Sequence, residues 1–372
     1  MRRVQWIDSC RGTALVLAYL AHLFIAFQLE PGDQLSLLTR LITRAATPAF
    51  LVIFGIMLEM IYVRQARSLG NLAPVRLRLF NRSFDCYVVF AAITLAAVAG
   101  DHLSPRQGLS AVLYLGPGRF GIILELYALL LAGIAMALPL VIRWGWVGLL
   151  GLSAIGWIGR HGLNTLNAPE WYPLQFLVGY GTGFGPSLLP GLVFVAFGIL
   201  IGQALSEPRQ RAPVLIFVTL CGMIAGLGIE QLGLRGFATA LVMDFRWSNH
   251  PGYFVTGIMT SSMLLSVNWW LHRKSRPISA RLPLQSIGRN SLFVYGMGNI
   301  LMNLVPRLTL PADSRLYWSL AFTIGFGFIY VYRKRILQHL ERHAFGLPTL
   351  IHDLYEKQRE RILLRLLGNA RH

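Results

Sequence analysis

Charge is scarce in this 372-residue chain, with Asp, Glu, Lys and Arg together making up 13% of it. A soluble globular chain carries about 25%, so too little charge is present to cover the surfaces of soluble domains. Acid is scarcer still: 16 Asp and Glu stand against 34 Lys and Arg, for a formal net charge of +18. Cysteine is limited to Cys10, Cys86 and Cys221, far apart and in or beside apolar runs. No CxxC and no Cys/His metal spacing occurs, which speaks against a disulfide framework and a zinc site. The chain also lacks a Gly-rich phosphate loop, HExxH, GxSxG and paired carboxylates within one apolar run. Those absences argue against ATP-driven transport, zinc proteolysis and serine hydrolysis.

What is present is apolar. Hydrophobic residues make up 55%, and the mean hydropathy is +0.54. Runs long enough to approach a bilayer crossing occupy 12–29, 47–63, 84–100, 119–141, 144–158, 186–205, 213–229, 253–271, 290–306 and 315–332. The Gly-rich stretch 173–185 reads as a re-entrant segment or an extension of the sixth run. Connections alternate in charge. Arg64, Arg67, Arg76, Arg78 and Arg82 fill one, Arg209 and Arg211 another, and Arg273, Lys274, Arg276, Arg281 and Arg289 a third. The intervening connections mix signs, as in Glu30, Asp33 and Arg40, or Glu230, Arg235, Asp244 and Arg246. Basic connections belong in the cytoplasm. The expected fold is therefore an all-α polytopic integral membrane bundle of about ten transmembrane helices, with both termini cytoplasmic. Because the Arg residues sit between apolar runs and not on one soluble face, the charge implies no nucleic acid partner.

Arg2 and Arg3 precede an apolar run, but His22 interrupts it and no small-residue cleavage site comes before Glu30, so it reads as a retained helix. Residues 1–332 form the expected bundle. Residues 333–372 form a basic amphipathic tail, with Leu347, Ile351, Leu354, Ile362 and Leu366 among Arg and His. That tail is expected to lie on the anionic inner leaflet or to bind a partner.

Ionisable groups inside apolar helices are costly and mark candidate sites. Arg11 and His22 are eleven residues apart, three turns plus about 20°, so they share one helix face about 16 Å apart along the axis. Asp8 lies one turn before Arg11 and is placed to pair with it. A snorkelling Arg and a core His are the plain alternative; the shared face favours a cavity with a titratable base in it. Later, Ser291, Tyr295, Asn299 and Asn303 recur every fourth residue behind Arg289 and Asn290. Such a stripe either lines a cavity or joins helices. Asn249 and His250 form a third cluster, at the outer mouth of the eighth run; Arg160, His161 and Asn164, in the loop after the fifth, form a fourth.

The stretch Ile7-Asp8-Ser9-Cys10-Arg11-Gly12, with His22 following, resembles the first helix of the transmembrane acyltransferase superfamily. That group comprises the acyltransferase-3, glucan succinyltransferase and heparan glucosaminide acetyltransferase-like proteins. Thr47-Pro48-Ala49-Phe50 through Gly55 is similar to its second-helix pattern, and Ser187-Leu188-Leu189-Pro190-Gly191 to its mid-chain segment. Asn249-His250-Pro251 and Gly288-Arg289-Asn290-Ser291-Leu292 fit its late helices. One departure stands out: many members carry a His soon after the late Tyr, where this chain has Gly298 and Asn299.

The resemblance implies acyl transfer, acetyl or succinyl, from cytoplasmic acyl-CoA to a hydroxyl or amine of an extracytoplasmic carbohydrate, a glycan or glycolipid. Acyl-CoA would be a donor substrate, and no tightly bound cofactor or metal is implied. Catalytic roles would fall to His22, Asp8 and Tyr295. Arg11 and Arg289 would hold the donor, and Asn290, Ser291, Asn299, Asn249 and His250 the substrate. The compact, Arg-rich chain suggests a bacterial inner membrane as its home, with a homodimer left open. The competing expectation is a proton-coupled solute transporter or lipid flippase that moves its cargo through the same polar cavity without chemistry.

Overall fold

The structure is a computed structural model, and it describes residues 4–26, 34–166, 170–181, 185–274, 284–304 and 355. All regular secondary structure among them is helical. The first helix, α1, is Gln5–Ala26; α2 is Gln34–Arg44; α3 is Ala46–Met57, continued by a π-helical turn Leu58–Val63 and by α4, Arg64–Leu69. Then follow α5 (Ala73–Ala99), α6 (Pro105–Val112), α7 (Ile122–Met136), α8 (Leu138–Thr165) and α9 (Tyr172–Val178). The rest are α10 (Leu188–Ala204), α11 (Arg211–Met243), α12 (Pro251–Lys274), α13 (Leu284–Arg289) and α14 (Ser291–Leu304).

Nine of the ten expected apolar runs overlap helices among the described residues, with 119–141 divided between α7 and α8, and the tenth, 315–332, lies outside the described residues. Five helical stretches among the described residues are long and apolar enough to cross a membrane: 5–26, 37–69, 73–99, 138–165 and 208–243. The helices at 122–136, 188–204 and 291–304 are apolar but shorter. On α11, Leu215, Ile216, Leu220, Met223 and Leu227 are all exposed. A helix that is apolar and yet uncovered is suited to lipid contact.

Several boundaries differ from the sequence reading. Helix α11 breaks at Gly233 (φ 69°), a turn beyond the expected end near residue 229, and helix resumes through the expected outer connection to Met243. Helix α8 likewise continues through Arg160, His161 and Asn164, which therefore lie on a helix and not in a loop. Polar and charged residues stop an apolar run without stopping a helix, because Arg, Glu and Gln are good helix formers. The 173–185 stretch is no extension of α10: α9 is a separate short helix closed by Gly179 in a left-handed conformation. Of the expected tail, only Tyr355 is described; its hydroxyl donates to Asp85 on α5 at 2.8 Å, and its ring stacks on Phe84.

Two glycine crossings set the centre of the bundle. At the first, a side chain on Gly12 of α1 would run into the Leu284 carbonyl, and one on Gly288 of α13 into the Asp8 carbonyl. At the second, Gly55 of α3 and Gly198 of α10 face each other in the same way, each against the other helix's backbone. Close backbone approach of this kind is how small residues join helices where lipid offers no hydrophobic drive. It also sets the arginines that follow Gly288 and precede Gly12 on either side of one contact.

Candidate functional site

Helix α1 supplies two polar positions to the interior, Arg11 and His22, as its periodicity requires. They line different cavities. The first, about 210 Å³, is walled by Arg11, Tyr62, Arg82, Tyr127 and Ser291 among apolar residues of α3, α5, α7 and α14. The second, about 170 Å³, is walled by His22 together with Arg40, Arg44, Phe120, Arg246 and Trp247. Phe50, Ile123 and Tyr295 line both, so the two spaces meet across these three side chains.

His22 is held from three sides. Its Nδ1 lies 2.7 Å from Asn299 Oδ1. Its ring stacks on Phe120, with centroids 4.8 Å apart, and meets Tyr295 edge-on at 5.9 Å. The supports are themselves tied down: Tyr295 donates its hydroxyl proton to the Phe120 carbonyl at 2.8 Å, and Asn299 Nδ2 donates to the Tyr295 carbonyl at 2.8 Å. The second bond fixes the imidazole tautomer. With its Nδ2 committed, Asn299 presents Oδ1 as an acceptor, so the proton sits on His22 Nδ1. The lone pair is then on Nε2, which has no hydrogen-bond partner among the described residues. A neutral imidazole with an oriented Nε2 is the form a general base takes.

The other expected site residues divide. Ser291 lines the Arg11 cavity and Tyr295 both cavities. Asp8 is buried and lies 3.7 Å from Arg289 Nε, tying α1 to α13 at the glycine crossing. Asn290 donates back to the Ser286 carbonyl of its own helix at 3.0 Å. Asn249 is fully buried away from His22: its Oδ1 accepts from the Ser187 amide at 2.9 Å and its Nδ2 donates to Ser187 Oγ at 3.0 Å, at the start of α10. His250 is exposed, stacks on Phe245 at 4.1 Å, and accepts the Gly252 amide through Nδ1 at 3.1 Å. Partial desolvation of the ring and the nearby Arg160 charge hold its pKa below the usual histidine range.

Several residues of the site carried no sequence signal. Phe120, Arg44, Tyr127 and Arg82 reach it from helix ends and from other helices; of these the sequence reading named only Arg82, as one charge of a basic connection. Away from the residues that line either cavity, the fully buried Glu125 side chain on α7 accepts the Tyr172 hydroxyl at 3.0 Å. Among the described residues no group of three or more His, Cys, Asp or Glu is placed to hold a metal ion.

No curated protein and no solved structure matches the chain significantly. The family model for acyltransferase-3, described as an acyltransferase domain, matches residues 4–334. That match covers nearly the whole of this apolar helical chain, which therefore belongs to the acyltransferase-3 family of membrane acyltransferases.

Proposed function

We propose that the protein transfers an acyl group, acetyl or succinyl, from cytoplasmic acyl-CoA to a hydroxyl or amine of an extracytoplasmic carbohydrate, with His22 as general base. The observation that carries this reading is the Asn299–His22 hydrogen bond, which leaves Nε2 as the base of a ring that lines the second cavity and meets Tyr295, a side chain common to both cavities. The donor arm enters the cavity of Arg11 and Arg82, where guanidinium groups suit its phosphates. The acceptor enters from the other cavity. His22 Nε2 takes the acceptor proton as its oxygen or nitrogen attacks the thioester carbonyl. The tetrahedral oxyanion collapses, the carbon–sulfur bond breaks, and the leaving thiolate recovers the proton from the imidazolium. Tyr295 is within reach of both cavities, but its proton is held by the Phe120 carbonyl; service to the oxyanion requires that bond to switch. Arg289 and Asp8 act one step back, by fixing where α1 and its Arg11 lie against α13. With the basic connections inside, the Arg11 cavity opens toward the cytoplasm of a bacterial inner membrane.

The test feeds radiolabelled acetyl-CoA, and separately succinyl-CoA, to native-host membrane vesicles open on the cytoplasmic face. Label reaching envelope carbohydrate is compared among wild type, a deletion strain and His22→Ala at equal expression. Loss in both strains is expected. Transfer retained by His22→Ala would remove His22 from the chemistry, and transfer unaffected by deletion would remove the reading itself.

A further inference from the structure

The cavity on the His22 side has a composition that acyl transfer by itself does not require. Arg40 and Arg44 from α2 and Arg246 from the segment before α12 all line it, beside His22 and Thr43, and no carboxylate is among its described lining residues. Neither Arg44 nor Arg246 has an ion-pair partner among the described residues. Each is instead fixed by a neutral oxygen: Arg246 Nε donates to the Gly185 carbonyl at 2.6 Å, and an Arg44 Nη donates to the Val242 carbonyl. The Arg246 guanidinium also lies 5.0 Å from the Trp247 ring centroid. Carbonyls and an indole position a guanidinium without cancelling its charge, so Arg44 and Arg246 present positive charge on the cavity wall. Like charges gathered inside a helical bundle are unfavourable unless an anion joins them. Guanidinium forks match the geometry of carboxylate and phosphate oxygens.

We propose that this cavity is an anion-selective acceptor site: Arg44 and Arg246, with Arg40 at its rim, hold a carboxylate or phosphate on the acceptor carbohydrate and so bring a neighbouring hydroxyl to His22. The proposal rests on the acyltransferase reading for its word acceptor, and on the cavity alone for its charge preference. The donor also carries phosphates, but the Arg11 cavity offers it a separate pair of arginines, Arg11 and Arg82. The two sources of anion are therefore distinguishable by variant.

The experiment uses the full chain in lipid nanodiscs, and binding is followed by ligand-observed magnetic resonance and by thermal shift. The probes are glucuronic acid, glucose 1-phosphate, glucose and acetyl-CoA. Wild type is expected to bind the two charged sugars about tenfold more tightly than glucose, the worth of one charge-assisted hydrogen bond. That preference is expected to shrink as salt rises from about 0.05 M to about 0.5 M, where screening shortens. Arg44→Gln with Arg246→Gln is expected to abolish it and leave acetyl-CoA binding intact; Arg44→Lys with Arg246→Lys, which keeps the charge, controls for folding. Equal binding of charged and neutral sugars by wild type overturns the proposal without recourse to any variant. Loss of acetyl-CoA binding in the Gln pair, with the Lys pair unimpaired, also overturns it, by assigning these arginines to the donor. The acyltransferase reading fails separately, if wild type does not bind acetyl-CoA.

Discussion

Asn299 and His22, 277 residues apart in the chain, are joined by a 2.7 Å hydrogen bond that decides which imidazole nitrogen is the base. Gly298 and Asn299 stand where many members of the resembled family carry a histidine soon after the late Tyr, and here Asn299 orients the His22 ring. Asn299→Ala is expected to lower the rate of acyl transfer by about 10²-fold, the scale of a misdirected general base, with the KM for acetyl-CoA unchanged. Steady-state kinetics on purified protein distinguish this from donor loss, and a wild-type kcat would show that the bond does not set the tautomer.

Tyr295 supports the opposite face of the site. Tyr295→Phe leaves the Phe120 carbonyl without its donor and frees the ring on which His22 stacks. A loss of about 1 kcal/mol in stability is expected from the missing bond. Chemical denaturation in detergent measures it, and a variant as stable as wild type would show the bond to be without net worth.

The α1–α13 crossing tolerates no side chain. Gly288→Ala places a methyl group on the Asp8 carbonyl and is expected to cost about 1–3 kcal/mol. Gly133→Ala on α7 is the control, since nothing lies within 4 Å of the added carbon. Thermal unfolding of the two variants side by side should separate them, and equal melting temperatures would contradict the close packing.

Glu125 is buried with a phenol on one oxygen. Removing the partner in Tyr172→Phe strands that oxygen, with an expected loss of about 1–3 kcal/mol. Urea midpoints for wild type and variant give the comparison, and a variant as stable as wild type would show that this bond has no net worth.

His250 gives a pH dependence whose sign is fixed by its lowered pKa. The unfolded chain binds a proton near the ordinary histidine pKa of about 6.5 before the folded chain does. Stability should therefore be at its full value above that pH and decline as pH falls toward the folded pKa. Protonation of Nδ1 also ends its acceptance of the Gly252 amide. The effect should be small, because the ring is exposed. Melting temperatures of wild type and His250→Gln between pH 7 and about pH 5 should converge on acidification; parallel curves would exclude this histidine as a source of acid sensitivity.

Taken alone, the sequence determined the membrane-type helical bundle, the common face of Arg11 and His22, and the polar stripe from Ser291 to Asn303. These are local properties, since composition and a period of 3.6 residues fix which side chains share a face. Charge and apolar run length did not fix where helices end: the first part of α11 includes Glu230 before it breaks at Gly233, and helix resumes across Arg235, because helix propensity does not follow hydropathy. Nor did they tell Asn299 from Asn249, two buried asparagines with different work. Which amide meets an imidazole and which meets Ser187 depends on how α1, α10 and α14 cross, and that is set by the glycine contacts between helices distant in the chain. The same holds for Arg40, Arg44 and Arg246. Written in order they are scattered charges near helix ends, and only the tertiary structure, by packing α1, α2 and α12 together, makes them one wall of the cavity that holds His22.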